Sequence, residues 1–272
     1  MTIQKIIRSL MLALFLISGN LSAQDTDITR HQIYGHRDGM AMFYDVEVPA
    51  NANGLGIVLI VSGGFVSGED NLNIIEPFWN ILLENGYTLF QIYHPAHPVY
   101  RIPDAFAALK IGVQHIQDNS AQFDVDSERL GIFGVSTGGF LSLLLGMSVE
   151  ADERSAYDFK AIVAMMPPVD VLDVDFDAEL FGARYLDFDP ALYSIVSPIN
   201  YVSADDPPTL LIHGTTDQAV PYERTSVRMQ SLLEEAGVKN RLVSVDAGHE
   251  IFPEPYLSEA HSAILEWFER HL

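Results

Sequence analysis

The sequence predicts an α/β fold, in which a mostly parallel central sheet carries helices on both faces. Short, continuous apolar runs such as G-I-V-L-I-V at 56–61 are typical of strands that are covered on both sides. These runs alternate with segments whose apolar residues recur at helical spacing, and the connections between them are short. With 272 residues, 48% of them hydrophobic, the chain is long enough to bury one large core. We therefore expect one domain over residues 24–272.

The elements are predicted in order from the apolar pattern and the turn signals. Residues 29–36 and 40–48 indicate a hairpin with its turn at 37–39. Further strands are predicted at 56–61, 87–93, 130–133, 161–165, 209–213 and 241–245. Helices are predicted at 73–86, with Asn73 as the cap, and at 103–117, 140–147, 220–236 and 258–272.

The acidic and aromatic segment 167–200 departs from this alternation. It follows the sixth strand and fits no regular strand and helix unit, so we expect a short insertion over the carboxyl edge of the sheet. Its aspartates lack the glycine and closing glutamate of a twelve-residue calcium loop, so calcium binding is not favoured. We interpret His94 and His97, in the proline-rich loop 94–103, as loop or pocket residues rather than metal ligands.

Residues 1–23 have the pattern of a secretory signal peptide. Lys5 and Arg8 precede an apolar run, and small residues at 22–23 indicate cleavage before Gln24. The alternative, an uncleaved membrane anchor, is disfavoured because the run is too short to span a bilayer. We expect a secreted or periplasmic protein with no stable membrane association after cleavage. The chain has no cysteine, which excludes disulfides.

The charge balance restricts the class of partner. Cleavage of the signal leaves 13 Lys and Arg residues against 37 Asp and Glu residues, a net charge of −24. This field repels nucleic acid and anionic membranes and favours neutral or cationic partners. The simpler interpretation, a solvated acidic surface that keeps an exported protein soluble, stays open. The sequence predicts no oligomeric state.

A glycine-rich turn, G-V-S-T-G-G at 134–139, lies between a buried strand and a buried helix. Ser136 is expected in a strained conformation, and Gly134, Gly138 and Gly139 supply the room that neighbouring Cβ atoms would otherwise occupy. The turn lifts the serine hydroxyl clear of the sheet at a helix start, where free N–H groups can face a developing negative charge. The alternative is a tight turn with a surface serine.

Ser136, Asp217 and His249 each follow a predicted strand, in the order serine, acid, histidine. Because all loops after parallel strands open on one edge, we expect the three side chains to gather there. A serine needs a base to take its proton, and the base needs an anion to hold its tautomer. Singly, Asp217 could be a turn-stabilising aspartate and His249 a loop histidine. The order and placement together favour a catalytic triad.

An oxyanion that forms at Ser136 needs N–H donors nearby. We expect them from Thr137, at the helix start, and from Gly63 and Gly64 in the small-residue loop 62–68. A plain flexible turn is the alternative for this loop.

These motifs resemble the serine α/β-hydrolase superfamily, particularly its small esterases and lipases. The matches are G-V-S-T-G-G at 134–139, S-G-G-F at 62–65, L-I-H-G-T-T-D-Q-A-V-P at 211–221 and G-H at 248–249. The resemblance implies an α/β-hydrolase fold. Esterases of the hormone-sensitive-lipase type usually have His-Gly-Gly-Gly where this chain has V-S-G-G at 61–64, and the Phe65 N–H is a possible substitute for Gly63 as donor.

The sequence therefore predicts an exported carboxylic-ester hydrolase that works through an acyl-enzyme on Ser136, without a cofactor or a metal. A neutral small-molecule ester with a short acyl group, such as an acetylated sugar or a small aryl ester, suits the acidic surface. Two alternatives stay open. One is a serine peptidase of the prolyl oligopeptidase type, which generally carries a large additional N-terminal domain. The other is a binding protein that kept the fold without catalysis.

Overall fold

A single eight-stranded sheet organises the described part of the chain. The computed structural model describes residues 26–148, 158–172, 186–249 and 252–272. The strands are β1 (Thr26–Arg37), β2 (Met40–Pro49), β3 (Gly56–Ile60), β4 (Thr88–Ile92), β5 (Leu130–Val135), β6 (Phe159–Met165), β7 (Thr209–Gly214) and β8 (Asn240–Val245). Their spatial order is β1-β2-β4-β3-β5-β6-β7-β8.

The strand directions confirm the predicted fold. β1 and β2 form an antiparallel hairpin, β2 pairs antiparallel with β4, and every pair from β4 to β8 is parallel. Parallel neighbours need crossover connections, which explains the helical segments between the strands. The loops after β3 to β8 consequently open on one edge of the sheet.

Helices cover both faces of the sheet. They are α1 (Glu69–Ile74), α2 (Glu76–Glu84), α3 (Ile102–Asn119), α4 (Thr137–Met147), α5 (Ser226–Ala236) and α6 (Tyr256–His271). Alternate strand residues feed two cores: Val58 and Ile60 pack with α3, α4 and α5, whereas Ile57 and Leu59 pack with α2 and α6. This double coverage explains why β3 reads as a continuous apolar run.

Three predicted helices begin elsewhere. Asn73 is not a cap: it lies inside the short helix α1, and α2 begins after Ile75 because Pro77 fits the first turn of a helix. The predicted helix 220–236 is a 3₁₀ turn at Tyr222–Arg224 followed by α5. Finally, α4 begins at Thr137 rather than Phe140, directly after Ser136.

The expected insertion after β6 is described only in part. Its described residues, 167–172 and 186–200, include two short 3₁₀ turns, and Phe188 and Tyr193 pack against the core that contains α3, α4 and α5. Residues 173–185, with half of the aspartates of this segment, lie outside the described residues, as does the predicted signal peptide at 1–23. No helix in the described ranges is both long enough and apolar enough to cross a bilayer.

Candidate active site

Ser136 lies in a strained turn between β5 and α4. Its backbone has φ 55° and ψ −121°, a combination that non-glycine residues rarely adopt. The turn is held by the Ser136 N–H, which donates to the Met165 carbonyl at 2.8 Å. A Cβ at Gly134 would lie 2.2 Å from the Gly138 carbonyl oxygen, so the strand can approach the helix this closely only with glycine there.

The fold brings Ser136, His249 and Asp217 together at the carboxyl edge of the sheet. Ser136 Oγ lies 2.9 Å from His249 Nε2, and His249 Nδ1 lies 2.7 Å from Asp217 Oδ2. His249 Nδ1 carries a proton in this arrangement, because the carboxylate can only accept. Its Nε2 then presents a lone pair to the serine hydroxyl, which is the tautomer that a general base requires.

The Asp217 carboxylate is buried and surrounded by donors. Oδ2 accepts from both His249 and His213, and Oδ1 accepts from the Ala219 and Val220 amides at 2.9 and 2.8 Å. Burial by itself raises the pKa of this carboxyl, but the bonds from His213 and His249, the charge of His249 and the Val220 amide outweigh it. They hold the pKa of Asp217 well below its ordinary value, so the group stays ionised at neutral pH.

His213 is a neighbour of the triad that the sequence reasoning missed. It is fully buried, and its Nε2 lies 3.1 Å from Asp217 Oδ2 and 2.9 Å from the Val220 carbonyl oxygen. Both partners are acceptors, so Nε2 carries the proton, and Nδ1 accepts from the Ser226 hydroxyl at 2.7 Å. A polar residue near the end of an otherwise apolar strand was the signal that could have revealed it.

The amides that were predicted to donate to an oxyanion differ in whether they already donate to another protein group. The Gly63 amide is already paired, since it donates to the Val66 carbonyl at 2.9 Å, which corrects the expectation that Gly63 donates to an oxyanion. The substitute, the Phe65 amide, donates to Thr137 Oγ1 at 3.2 Å. Among the described residues the Gly64 amide has no protein acceptor, and the Thr137 amide lies at the start of α4, where no intrahelical acceptor exists.

The loop after β3 is fixed against the turn that carries Ser136. Besides the Phe65 amide, the Ser62 hydroxyl contacts Thr137 Oγ1 at 3.1 Å, and both side chains are buried. The Phe65 ring packs edge-on against Phe140, with centroids 5.5 Å apart. These contacts keep the Gly64 amide close to the start of α4. Within residues 26–148, 158–172, 186–249 and 252–272, no group of three histidine or carboxylate side chains could hold a metal ion.

The fold and the strained serine turn place this protein in the serine α/β-hydrolase superfamily. More narrowly, the chain belongs to the BD-FAE family, whose profile matches residues 44–233. That match includes Ser136 and Asp217 and ends before His249.

Comparisons with individual proteins agree with this assignment. The chain is 26% identical to Esterase LipC of Mycobacterium tuberculosis over 221 residues, which cover 72% of this chain and 54% of LipC. The chain therefore spans about half the length of this curated relative.

Two solved structures share the fold. A carbohydrate esterase from gut microbiota, solved in a truncated form, superposes with a TM-score of 0.72 at 22% identity, covering 89% of this chain and 96% of that one. An acetyl ester-xyloside bifunctional hydrolase from Caldicellulosiruptor lactoaceticus gives 0.71 at 23% identity, covering 85% and 88%.

Proposed function

We propose that this protein is a carboxylic-ester hydrolase that forms an acyl-enzyme on Ser136. The observation that carries the proposal is the continuous hydrogen-bond path from Ser136 Oγ through His249 to Asp217, at 2.9 and 2.7 Å. A serine becomes nucleophilic when an adjacent imidazole takes its proton, and a buried carboxylate stabilises the imidazolium that forms.

In the proposed reaction, His249 Nε2 takes the hydroxyl proton while Ser136 Oγ attacks the ester carbonyl carbon. The amides of Thr137 and Gly64 are the proposed donors to the oxyanion, and one such donor lowers the barrier by about 3 to 4 kcal/mol. His249 then returns the proton to the leaving alcohol oxygen, which departs and leaves the acyl group on Ser136. Water that is deprotonated by His249 hydrolyses this ester and restores the free serine.

We propose that the substrate is a neutral ester with a short acyl group, such as an acetylated sugar or a small aryl ester. The acidic net charge of the chain supports an uncharged substrate. The relatives described above, an esterase, a carbohydrate esterase and an acetyl ester-xyloside hydrolase, support ester chemistry of this kind. The pattern at residues 1–23 supports action outside the cytoplasm.

Hydrolysis of p-nitrophenyl esters of increasing acyl length tests the proposal. We expect turnover that is fastest with acetate or butyrate, labelling of Ser136 by a fluorophosphonate, and a loss of kcat on the order of 10⁶-fold in Ser136→Ala. Ser142→Ala is the matched control, because that buried hydroxyl lies in α4 and donates only to the Gly138 carbonyl within the helix. Ser142→Ala should keep its activity.

The two alternatives, a serine peptidase of the prolyl oligopeptidase type and a binding protein without catalysis, predict different results. Turnover of aminoacyl p-nitroanilides well above that of the esters would favour the peptidase. If the folded protein neither turns over any ester nor reacts with the fluorophosphonate, the proposed function is wrong and a binding protein is favoured.

A further inference from the structure

A cavity of about 420 Å³ lies at the carboxyl edge of the sheet, apart from the triad. It is enclosed by the β1–β2 hairpin, residues 67–69 and the segment 93–100 that follows β4, whereas Ser136 follows β5. Two strand spacings separate β4 from β5, or about 10 Å. Ser67 connects this cavity to the loop after β3. Its hydroxyl donates to the Val61 carbonyl and accepts from the His94 amide, so the two segments that line the cavity are bonded to each other.

A β-bulge in β1 builds the polar side of this cavity. The register passes from Thr29 opposite Val46 to Gln32 opposite Tyr44, so Arg30 and His31 together face Asp45. His31 has φ 56°, a strained value for a residue other than glycine. Such bulges redirect side chains and are common beside functional sites. In this bulge the Arg30 side chain and the His31 amide both reach the Asp45 carboxylate.

Asp45 is only 2% exposed and is held by this bulge. Its Oδ2 accepts from Arg30 Nη1 at 3.0 Å, and its Oδ1 accepts from the His31 amide at 2.7 Å. A guanidinium has five N–H groups and the Arg30 side chain is 51% exposed, so Arg30 retains donors for a ligand while Asp45 holds it in place. The cavity also contains Arg37, which is paired with Asp104. Since both arginines are paired with aspartates and Glu69 adds a negative charge to the lining, the cavity disfavours an anion and suits an uncharged ligand with several hydroxyl groups.

Aromatic and apolar side chains lie beside these polar groups. The Phe43 ring contacts His31 and Tyr93, with centroids 4.5 and 5.0 Å apart. Met40 and Val99 also line the cavity and are 51% and 71% exposed, which is high for side chains of this size. A surface that combines aromatic rings with paired donors and acceptors matches a sugar ring, whose C–H face is apolar and whose edge carries hydroxyls.

His94 also lines the cavity. Its Nδ1 donates to the Pro95 carbonyl at 2.8 Å, so the proton is on Nδ1. Its Nε2 is buried and has no hydrogen-bond partner within the described part of the chain, so this nitrogen does not face a ligand in the cavity.

We propose that this cavity is an accessory subsite for an uncharged sugar ring of an oligosaccharide. The proposal rests on the proposed function only in that the same oligosaccharide carries the ester that Ser136 attacks. Because the cavity lies at β4 and beyond, at least two strand spacings or about 10 Å from the strand that precedes Ser136, the bound ring is not the one that carries the scissile ester. The binding free energy of this ring then helps to orient the ester of the same oligosaccharide at Ser136.

Calorimetric titration of the Ser136→Ala protein with sugars that carry no ester tests the subsite. The probes are the neutral trisaccharides of β-linked xylose, glucose and mannose, with trigalacturonate as the anionic probe and phenol as the aromatic one. We expect saturable binding of at least one neutral trisaccharide. Arg30→Gln should weaken this binding about tenfold, since a hydrogen bond to a charged group is lost. Phe43→Ala should weaken it as well.

Arg241→Gln is the matched control. Arg241 is 46% exposed and pairs with Glu266 at 2.9 Å, much as Arg30 is 51% exposed and pairs with Asp45 at 3.0 Å, but it lies far along the sheet on β8. The proposal is overturned if no neutral trisaccharide binds, if trigalacturonate or phenol binds more tightly than all of them, or if Arg30→Gln and Arg241→Gln behave alike. Sugar binding without ester turnover by the unsubstituted protein would reject the proposed function and keep the subsite.

Discussion

His213 shows how a single residue outside the triad can set the state of a catalytic group. Its imidazole joins the Asp217 carboxylate to the Ser226 hydroxyl and the Val220 carbonyl, entirely within the core. Asp217 Oδ2 is thereby fixed between two imidazoles, and its direction toward His249 is determined. We interpret His213 as a positioning residue, since it acts on the substrate only through Asp217.

His213→Gln is predicted to lower kcat by up to about 100-fold with little change in KM, because a small displacement of Asp217 misaligns His249 without altering substrate contacts. Steady-state kinetics with p-nitrophenyl acetate measure kcat and KM separately and so test this prediction. His261→Gln is the control, since that histidine lies in α6 and bonds the Pro77 carbonyl of α2 rather than Asp217. Equal kcat values for the two variants would contradict a positioning role.

His94 makes stability depend on pH in a defined window. Burial lowers its pKa to about 4, although the bond to the Pro95 carbonyl opposes this shift. The unfolded chain takes up a proton near pH 6.5, whereas the folded protein does so only near pH 4. The free energy of unfolding should therefore fall by about 3 kcal/mol as the pH decreases from 6.5 to 4, and then level off with respect to this group.

Urea unfolding at a series of pH values, with the native protein and His94→Gln, measures this contribution. The difference in unfolding free energy between the two should shrink as the pH falls toward 4. His36→Gln, at an exposed histidine, is the control and should run parallel to the native protein. A constant difference for His94→Gln from pH 7 to 4 would show that this residue is not the source.

At the scale of the elements, the close approach of β5 to α4 is what exposes the Ser136 hydroxyl. Gly134→Ala should destabilise the protein by about 3 kcal/mol or more, because its Cβ would lie 2.2 Å from the Gly138 carbonyl oxygen, a backbone atom that cannot move aside cheaply. Fluorophosphonate labelling should be lost together with stability.

Thermal unfolding and labelling of the two variants Gly134→Ala and Gly68→Ala test the role of this contact. Gly68 has an extended backbone with φ 175°, and a Cβ there meets no atom within 4 Å, so its replacement should be tolerated. If Gly134→Ala were as stable and as reactive as Gly68→Ala, the tight turn would not be the reason for glycine at this position.

At the scale of the whole molecule, the net charge depends on whether residues 1–23 are removed. We propose that residues 1–23 are removed during export, which leaves a chain with a net charge of −24 that starts at Gln24. Intact mass and N-terminal sequencing of the protein recovered from the periplasm or medium of a bacterial host should both give Gln24. A recovered chain that begins at Met1 would contradict the signal peptide.

The parts of the site that could be predicted from sequence are those that follow directly from strand order. Ser136, Asp217 and His249 each come after an apolar run, and parallel pairing brings such positions to one edge. The Gly63 amide and His213 could not be placed this way. Whether an amide is free depends on its partner, here the Val66 carbonyl, and whether His213 meets Asp217 depends on how the loop after β7 turns back on the strand.

By itself, the sequence determined the class of fold and the order of the elements, and it predicted the three side chains that meet at the edge of the sheet, because each of these depends on local periodicity or on the order of residues along the chain. Only the tertiary structure decided which loop amides are free, which histidine supports Asp217, and that a bulge in β1 forms a cavity with the segment after β4. The first two depend on how single loops fold, since Gly63 pairs with Val66 and His213 with Asp217 only three and four residues away, and hydrophobic periodicity does not specify loop geometry. The bulge depends on strand register, which the turn and the partner strand set.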